Sequence, residues 1–156
     1  MTAPQLISPD QFLAHWQGHR RLTRRLIERF PEDQLWSFTI GGMRSFGVMV
    51  KEMITVGVPM LKGIVTGEWV GTDVPEQPSK AELLAFWDAD TATINEYLPK
   101  VTLEMYQEHK VAFGQYPGLA YSLLLYGVDN EIHHRGQGYV YLRALGVEPP
   151  AFYERA

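Results

Sequence analysis

Apolar residues recur at helical spacing in four separate stretches of this chain, and each stretch has ends that suit a helix. The first stripe is Phe12, Trp16, His19, Leu22, Leu26 and Phe30. Ser8-Pro9-Asp10-Gln11 opens it: Ser8 caps, Pro9 suits the first helical position, and Gln11 completes a capping box. Pro31 ends it. The second stretch starts near Ser45 and runs to about Val65, with a wide apolar face of Phe46, Met49, Val50, Met53, Gly57, Leu61 and Ile64. Pro59 inside it is expected to kink or divide it. The third opens on a second capping box, Ser79-Lys80-Ala81-Glu82, and its stripe of Leu83, Trp87, Thr91, Ile94 and Leu98 closes at Pro99. The fourth starts near Pro117 and ends at Leu145, where Gly146 and then Pro149-Pro150 terminate it.

Between these stretches, Gly67 to Pro78 reads as a loop rich in Gly and Pro, and residues 101–116 read as an irregular connection with room for a short extended piece. No strand-like alternation is sustained. Four amphipathic helices in 156 residues imply an all-α helical bundle, one domain over residues 1–156. The net charge of −4 has no long run of one sign, so broad nucleic-acid binding has no support. Arg20, Arg21, Arg24 and Arg25 read as a solvated face of the first helix. There are no cysteines, which removes disulfides, thiolate metal sites and cysteine nucleophiles. With no secretory pattern at the N-terminus and no apolar window of about 18 residues, the expectation is a cytoplasmic protein with no membrane partner.

Chemistry enters where polar residues interrupt the apolar stripes. Leu123, Gly127, Asn130, His134, Tyr141 and Leu145 share one face of the fourth helix. Asn130 and His134 stand one turn apart on it, the spacing at which two side chains can share a metal ion. Glu52 has Val48, Met49, Met53 and Val56 around it at helical spacing, so its carboxylate needs a partner such as a metal or a histidine. Each has a plainer reading: His19 as a satisfied core histidine, Glu52 at the rim of its helix, Asn130 with His134 as a hydrogen-bonded pair that fixes register. His133 is offset by about 100° from His134 and is expected to face a neighbouring helix or a dimer partner. His15 and His109 stand alone. No GxSxG elbow, Walker A loop or GxGxxG is present.

Arg44-Ser45-Phe46-Gly47, the run His133-His134-Arg135-Gly136-Gln137 and the closing Tyr141-Leu142-Arg143-Ala144-Leu145-Gly146-Val147-Glu148-Pro149-Pro150 together resemble the DinB family of DinB/YfiT-like metalloenzymes. The resemblance covers most of the chain. It implies an up-down-down-up four-helix bundle, commonly a homodimer, with a metal held by three histidines. One comes from the second helix and two, spaced i and i+4, from the late motif. Carried onto this sequence, those positions are Glu52, Asn130 and His134, of which His134 alone matches. The resemblance also implies thiol-dependent transferase chemistry, in which a metal lowers the pKa of a bound thiol or water.

Two functions follow as expectations. In the first, Glu52, Asn130 and His134 hold a divalent metal (zinc, nickel or iron), and thiol transfer or hydrolysis acts on a small molecule in a cleft. The cleft-lining candidates are His19, Trp16 and His133. In the second, the protein is a metal-free small-molecule-binding or non-enzymatic bundle, and Glu52 pairs with His134 structurally. A third reading is a dimer whose only task is assembly. The residues leave open whether the chain is an enzyme.

Overall fold

The computed structural model describes residues 6–156. Among the described residues the fold is mostly helical. Helix α1 (Pro9–Arg29) begins at the capping box of Ser8 with Gln11 and is followed by a single 3-10 turn, Glu32–Gln34. Helix α2 (Phe46–Thr66) has Ser45 at its N-cap and stops at Gly67, whose φ of 80° suits a residue without Cβ. Helix α3 (Lys80–Tyr97) opens on the reciprocal Ser79–Glu82 box and tightens into a 3-10 turn, Leu98–Lys100. A one-turn helix α4 (Leu103–Tyr106) precedes an antiparallel hairpin of β1 (His109–Ala112) and β2 (Tyr116–Leu119), with His109 opposite Leu119 and Ala112 opposite Tyr116. Helix α5 (Ala120–Ala144) completes the chain before its C-terminal tail.

Three expectations change here. The short extended piece expected within residues 101–116 is present as β1, but the tight turn at Phe113-Gly114 pairs it with a second strand, so the connection is more ordered than expected. Pro117 belongs to β2, so α5 starts at Ala120. Pro59 does not divide α2, which runs unbroken through it; the residue is buried in the interior, where packing holds the helix on both sides.

Each of the four long helices packs on two others: α1 on α3 and α5, and α2 on α3 and α5. Helices α2 and α5 come close where Gly57 meets Gly127. A Cβ on Gly127 would stand 3.6 Å from the Gly57 Cα, and one on Gly57 would touch the Trp16 ring at 3.4 Å. The interior has two apolar clusters. One gathers Phe12, Trp16, Leu61, Ile64, Ile94 and Leu124. The other gathers Leu26, Phe30, Phe46, Met49, Trp87 and Tyr141. Along α1, α3 and α5, the stretch between the two clusters carries buried polar groups: His19, Arg20 and Thr23, then Asp90, then Asn130, Glu131, His134 and Arg135. No described helix is long and apolar enough to cross a membrane. The reading of the N-terminus as lacking a targeting pattern falls partly on residues 1–5, which lie outside the described residues.

Candidate functional site

Glu52, Asn130 and His134 come together where α2 meets α5. His134 Nε2 lies 3.0 Å from Glu52 Oε1, and Asn130 Nδ2 donates to the same oxygen at 2.9 Å. The helix pitch places Asn130 and His134 over one turn, and their shared face turns toward α2. The ring of His134 is fixed on its far side, with Nδ1 2.8 Å from Gln137 Oε1.

A fourth residue completes the cluster. The Arg44 guanidinium pairs with Glu52 Oε2 through Nη1, and its Nη2 approaches His134 Nε2 to 3.5 Å. Arg44 belongs to the bend before α2 and was not among the candidate ligands. The signal was its place in the Arg44-Ser45-Phe46-Gly47 segment, eight residues before Glu52. Burial alone would raise the Glu52 pKa, but hydrogen bonds from His134, Asn130 and Arg44 outweigh it and hold the carboxyl at about 2. Glu52 lies at the rim of the cluster, its side chain 28% exposed, while His134 behind it is 5% exposed.

The donor set does not fit a divalent metal as it stands. Glu52 and His134 offer one oxygen and one nitrogen to a shared point. Asn130 turns its NH2 to Glu52, and its Oδ1 is buried without a partner. A cation, Arg44, already stands against both Glu52 and His134. Among the described residues no three His, Asp or Glu side chains gather in a way that could hold a metal.

The other candidates lie elsewhere. Trp16 and His19 are buried on α1, and His19 belongs to a second polar cluster with different partners. His133 is exposed and stands edge-on to His134 with ring centroids 5.0 Å apart. In the second cluster Arg135 Nη2 donates to His19 Nδ1 at 3.0 Å, and Arg135 Nη1 reaches Thr23 Oγ1 at 3.2 Å. Thr23 in turn donates to Glu131 Oε1 at 2.7 Å. His15 is not alone, since its Nε2 is 3.1 Å from His19 Nε2. Arginine is only a donor, so His19 Nδ1 accepts from Arg135, while His19 Nε2 has the Arg155 guanidinium at 3.1 Å as well as His15. Burial, then the charges of Arg135, Arg155 and His15, push the His19 pKa down to about 3. Burial raises the Glu131 pKa despite nearby Arg20, Thr23 and Arg135. The Trp16 indole N–H lies near enough to favour the charged carboxylate without completing a hydrogen bond.

The sequence profile of the DinB family matches residues 1–156. The chain belongs to the DinB family. YjoA of Bacillus subtilis (strain 168) is 24% identical over 149 residues, which cover 94% of this chain and 96% of that protein. The crystal structure of that DinB-like protein superposes with a TM-score of 0.76 at 21% identity, covering 94% of this chain and 99% of the other. A DinB-like protein from Bacillus cereus also gives a TM-score of 0.76 at 18% identity, covering 92% and 97%. At these identities the likeness of the structures establishes the fold. Within this DinB fold, sequence reasoning found the α2–α5 trio and missed its arginine. It also missed Glu131 and Arg135. Their signal was an i, i+4 acid–base pair one residue out of phase with Asn130 and His134.

The arginine-rich face of α1 also departs from expectation. Arg20 is 2% exposed, with its guanidinium over the Trp87 ring at 3.5 Å and Nη2 donating to Trp87 O at 2.7 Å. Stacking and a carbonyl partner let the charge leave water. Arg24 pairs with Asp88 and Glu28, while Arg21 and Arg25 donate to backbone carbonyls of the C-terminal tail.

Proposed function

We propose that this chain is an up-down-down-up four-helix bundle that acts as a homodimer in the cytoplasm. Its Glu52–Asn130–His134 site works without metal and receives a small molecule at its open rim. The observation that carries this reading is the saturation of Glu52. One oxygen takes Asn130 and His134, the other takes Arg44, and a divalent ion would have to displace at least one of them. The Glu52–His134 contact is then a charge-assisted hydrogen bond that orders the α2–α5 seam. Half-exposed Arg44 and partly exposed Glu52 give a ligand polar groups to meet. Exposed Tyr121, Leu125, Ile132 and Val140 along α5 support the dimer as an apolar contact face.

One observation favours the metal-dependent alternative, in which zinc, nickel or iron supports thiol transfer or hydrolysis. Asn130 Oδ1 is a buried acceptor without a partner, and rotation of the amide would offer it to a cation.

Elemental analysis of the untagged protein after a chelator wash separates the two. Metal well below one equivalent is the expected result. One equivalent of zinc, nickel or iron that disappears in Glu52→Ala would overturn the metal-free reading. Sedimentation at two concentrations tests the dimer, with a mass near twice 17.8 kDa expected.

A further inference from the structure

We propose that Arg44 is the resident cation of the Glu52–Asn130–His134 site, so that its guanidinium and a divalent metal are mutually exclusive occupants. The inference rests on the metal-free reading and adds the cause.

Three observations carry it. First, the guanidinium spans the two groups that a metal at this place would bridge: Nη1 on the Glu52 carboxylate and Nη2 beside His134 Nε2. Second, Arg44 is placed by its backbone. The buried Tyr141 hydroxyl, on α5, donates to Arg44 O at 2.8 Å, and Met43 N closes a turn onto Ile40 O at 3.0 Å. That turn contains Gly41 and Gly42 at φ of 58° and 77°, a conformation that a side chain would strain. The arginine therefore leaves the bend at a point whose backbone is anchored to the same helix that supplies Asn130 and His134. Third, the charges balance. Glu52 and Arg44 sum to zero, and a dication beside the guanidinium would put like charges a few ångströms apart with one carboxylate between them.

Asn130 fits the same account. Its NH2 donates to a carboxylate whose other oxygen is held by arginine, so an amide donor serves here where a third metal ligand would not.

The test is zinc titration by calorimetry on the full chain. Wild type, Asn130→His, and Asn130→His combined with Arg44→Met are compared, each with a Glu52→Ala control to subtract binding elsewhere. Asn130→His alone supplies a ligand but keeps the resident cation. Removing Arg44 as well should tighten Glu52-dependent zinc binding at least about tenfold. Equal affinity of the single and double variants would overturn the role of Arg44 and leave the metal-free reading standing. Stoichiometric, Glu52-dependent zinc binding by wild type would overturn both. Far-ultraviolet circular dichroism checks folding. If Arg44→Met does not fold, Arg44→Gln, which keeps a donor and loses the charge, is measured against the same two criteria.

Discussion

Helix α5 carries two polar clusters, one on its α2 side and one on its α1 side, and each contains a glutamate. Glu52 faces Asn130 and His134; Glu131 belongs to α5 itself and sits with Arg135 against α1. The side chains of Arg44 and Glu52 are 51% and 28% exposed, against 7% and 3% for Arg135 and Glu131. Burial penalises both carboxylates. At Glu52 three donors outweigh it, and the pKa falls to about 2. At Glu131 the Thr23 hydroxyl is the one close donor, Arg135 stands 4.0 Å away, and the pKa rises. The balance of donors against desolvation, rather than residue type, sets the sign. The rim cluster can therefore exchange partners with solvent or a ligand. The buried cluster cannot do so without opening the α1–α5 seam.

The largest expected effect lies on the buried side. Arg135→Met removes the donor to His19 and Thr23 and one of the two cations, with Arg20, whose charge favours ionised Glu131. Breaking a buried pair this way costs about 3–5 kcal/mol, read as a lower urea midpoint. If Arg135→Met costs no more than Glu52→Ala, the two clusters are not different in kind.

Acid should separate the clusters in order. His19 has its folded pKa lowered to about 3 from 6.5, so the unfolded chain binds the proton first. Its contribution is complete above about pH 6.5 and is lost as pH falls toward 3. Glu52, lowered to about 2 from 4.5, contributes fully above about pH 4.5 and loses its share only as pH falls toward 2. Stability measured from pH 7 to pH 5 should therefore fall less in His19→Gln than in wild type, and equally in Glu52→Gln and wild type. A Glu52-dependent slope above pH 5 would contradict this order.

Asp90 works in the opposite direction. Burial raises its pKa to about 6 from 3.8, despite Arg20 and Lys62, and its Oδ2 has no partner. The folded state holds this proton more tightly than the unfolded chain, so ionised Asp90 costs stability above pH 6 and nothing below pH 3.8. Asp90→Asn should stabilise at pH 7 by roughly 1–3 kcal/mol and by nothing near pH 3. A destabilised Asp90→Asn at pH 7 would mean that the carboxylate has a partner it needs.

The smallest effect is at the rim. Glu52→Ala should cost about 1 kcal/mol, because its charged partner Arg44 is half-exposed and can turn to water. A cost above about 3 kcal/mol in thermal or urea unfolding would show the seam to be as closed as the α1 side.

The caps and stops of the long helices were legible in the sequence. Both capping boxes form, and Gly67 and Pro31 end their helices, because these are contacts within four residues. The pairing of Asn130 with His134 was legible for the same reason: the helix repeat alone places them together. The hairpin was less legible, since four-residue strands give too short an alternation to stand out. Glu131, Arg135 and Arg20 were the hardest. Charged side chains are usually solvated, and nothing local says that Trp87 will lie under Arg20 or that Thr23 will meet Glu131.

The sequence by itself determined the helices, their ends, and which residues share a face, since periodicity and capping are properties of a few consecutive residues. Tertiary structure decided which helix each face meets. Gly138 illustrates the reason: a Cβ there would stand 2.5 Å from the Phe46 ring, so α5 fits against α2 only in a narrow range of rotations. That rotation turns Asn130 and His134 to Glu52 and, about 100° around the helix, turns Glu131 and Arg135 to α1. It also brings Tyr141 under Arg44, which anchors the Arg44 backbone beside the site. Partners separated by 78 to 116 residues are joined by packing, and packing is settled only when all the helices are in place.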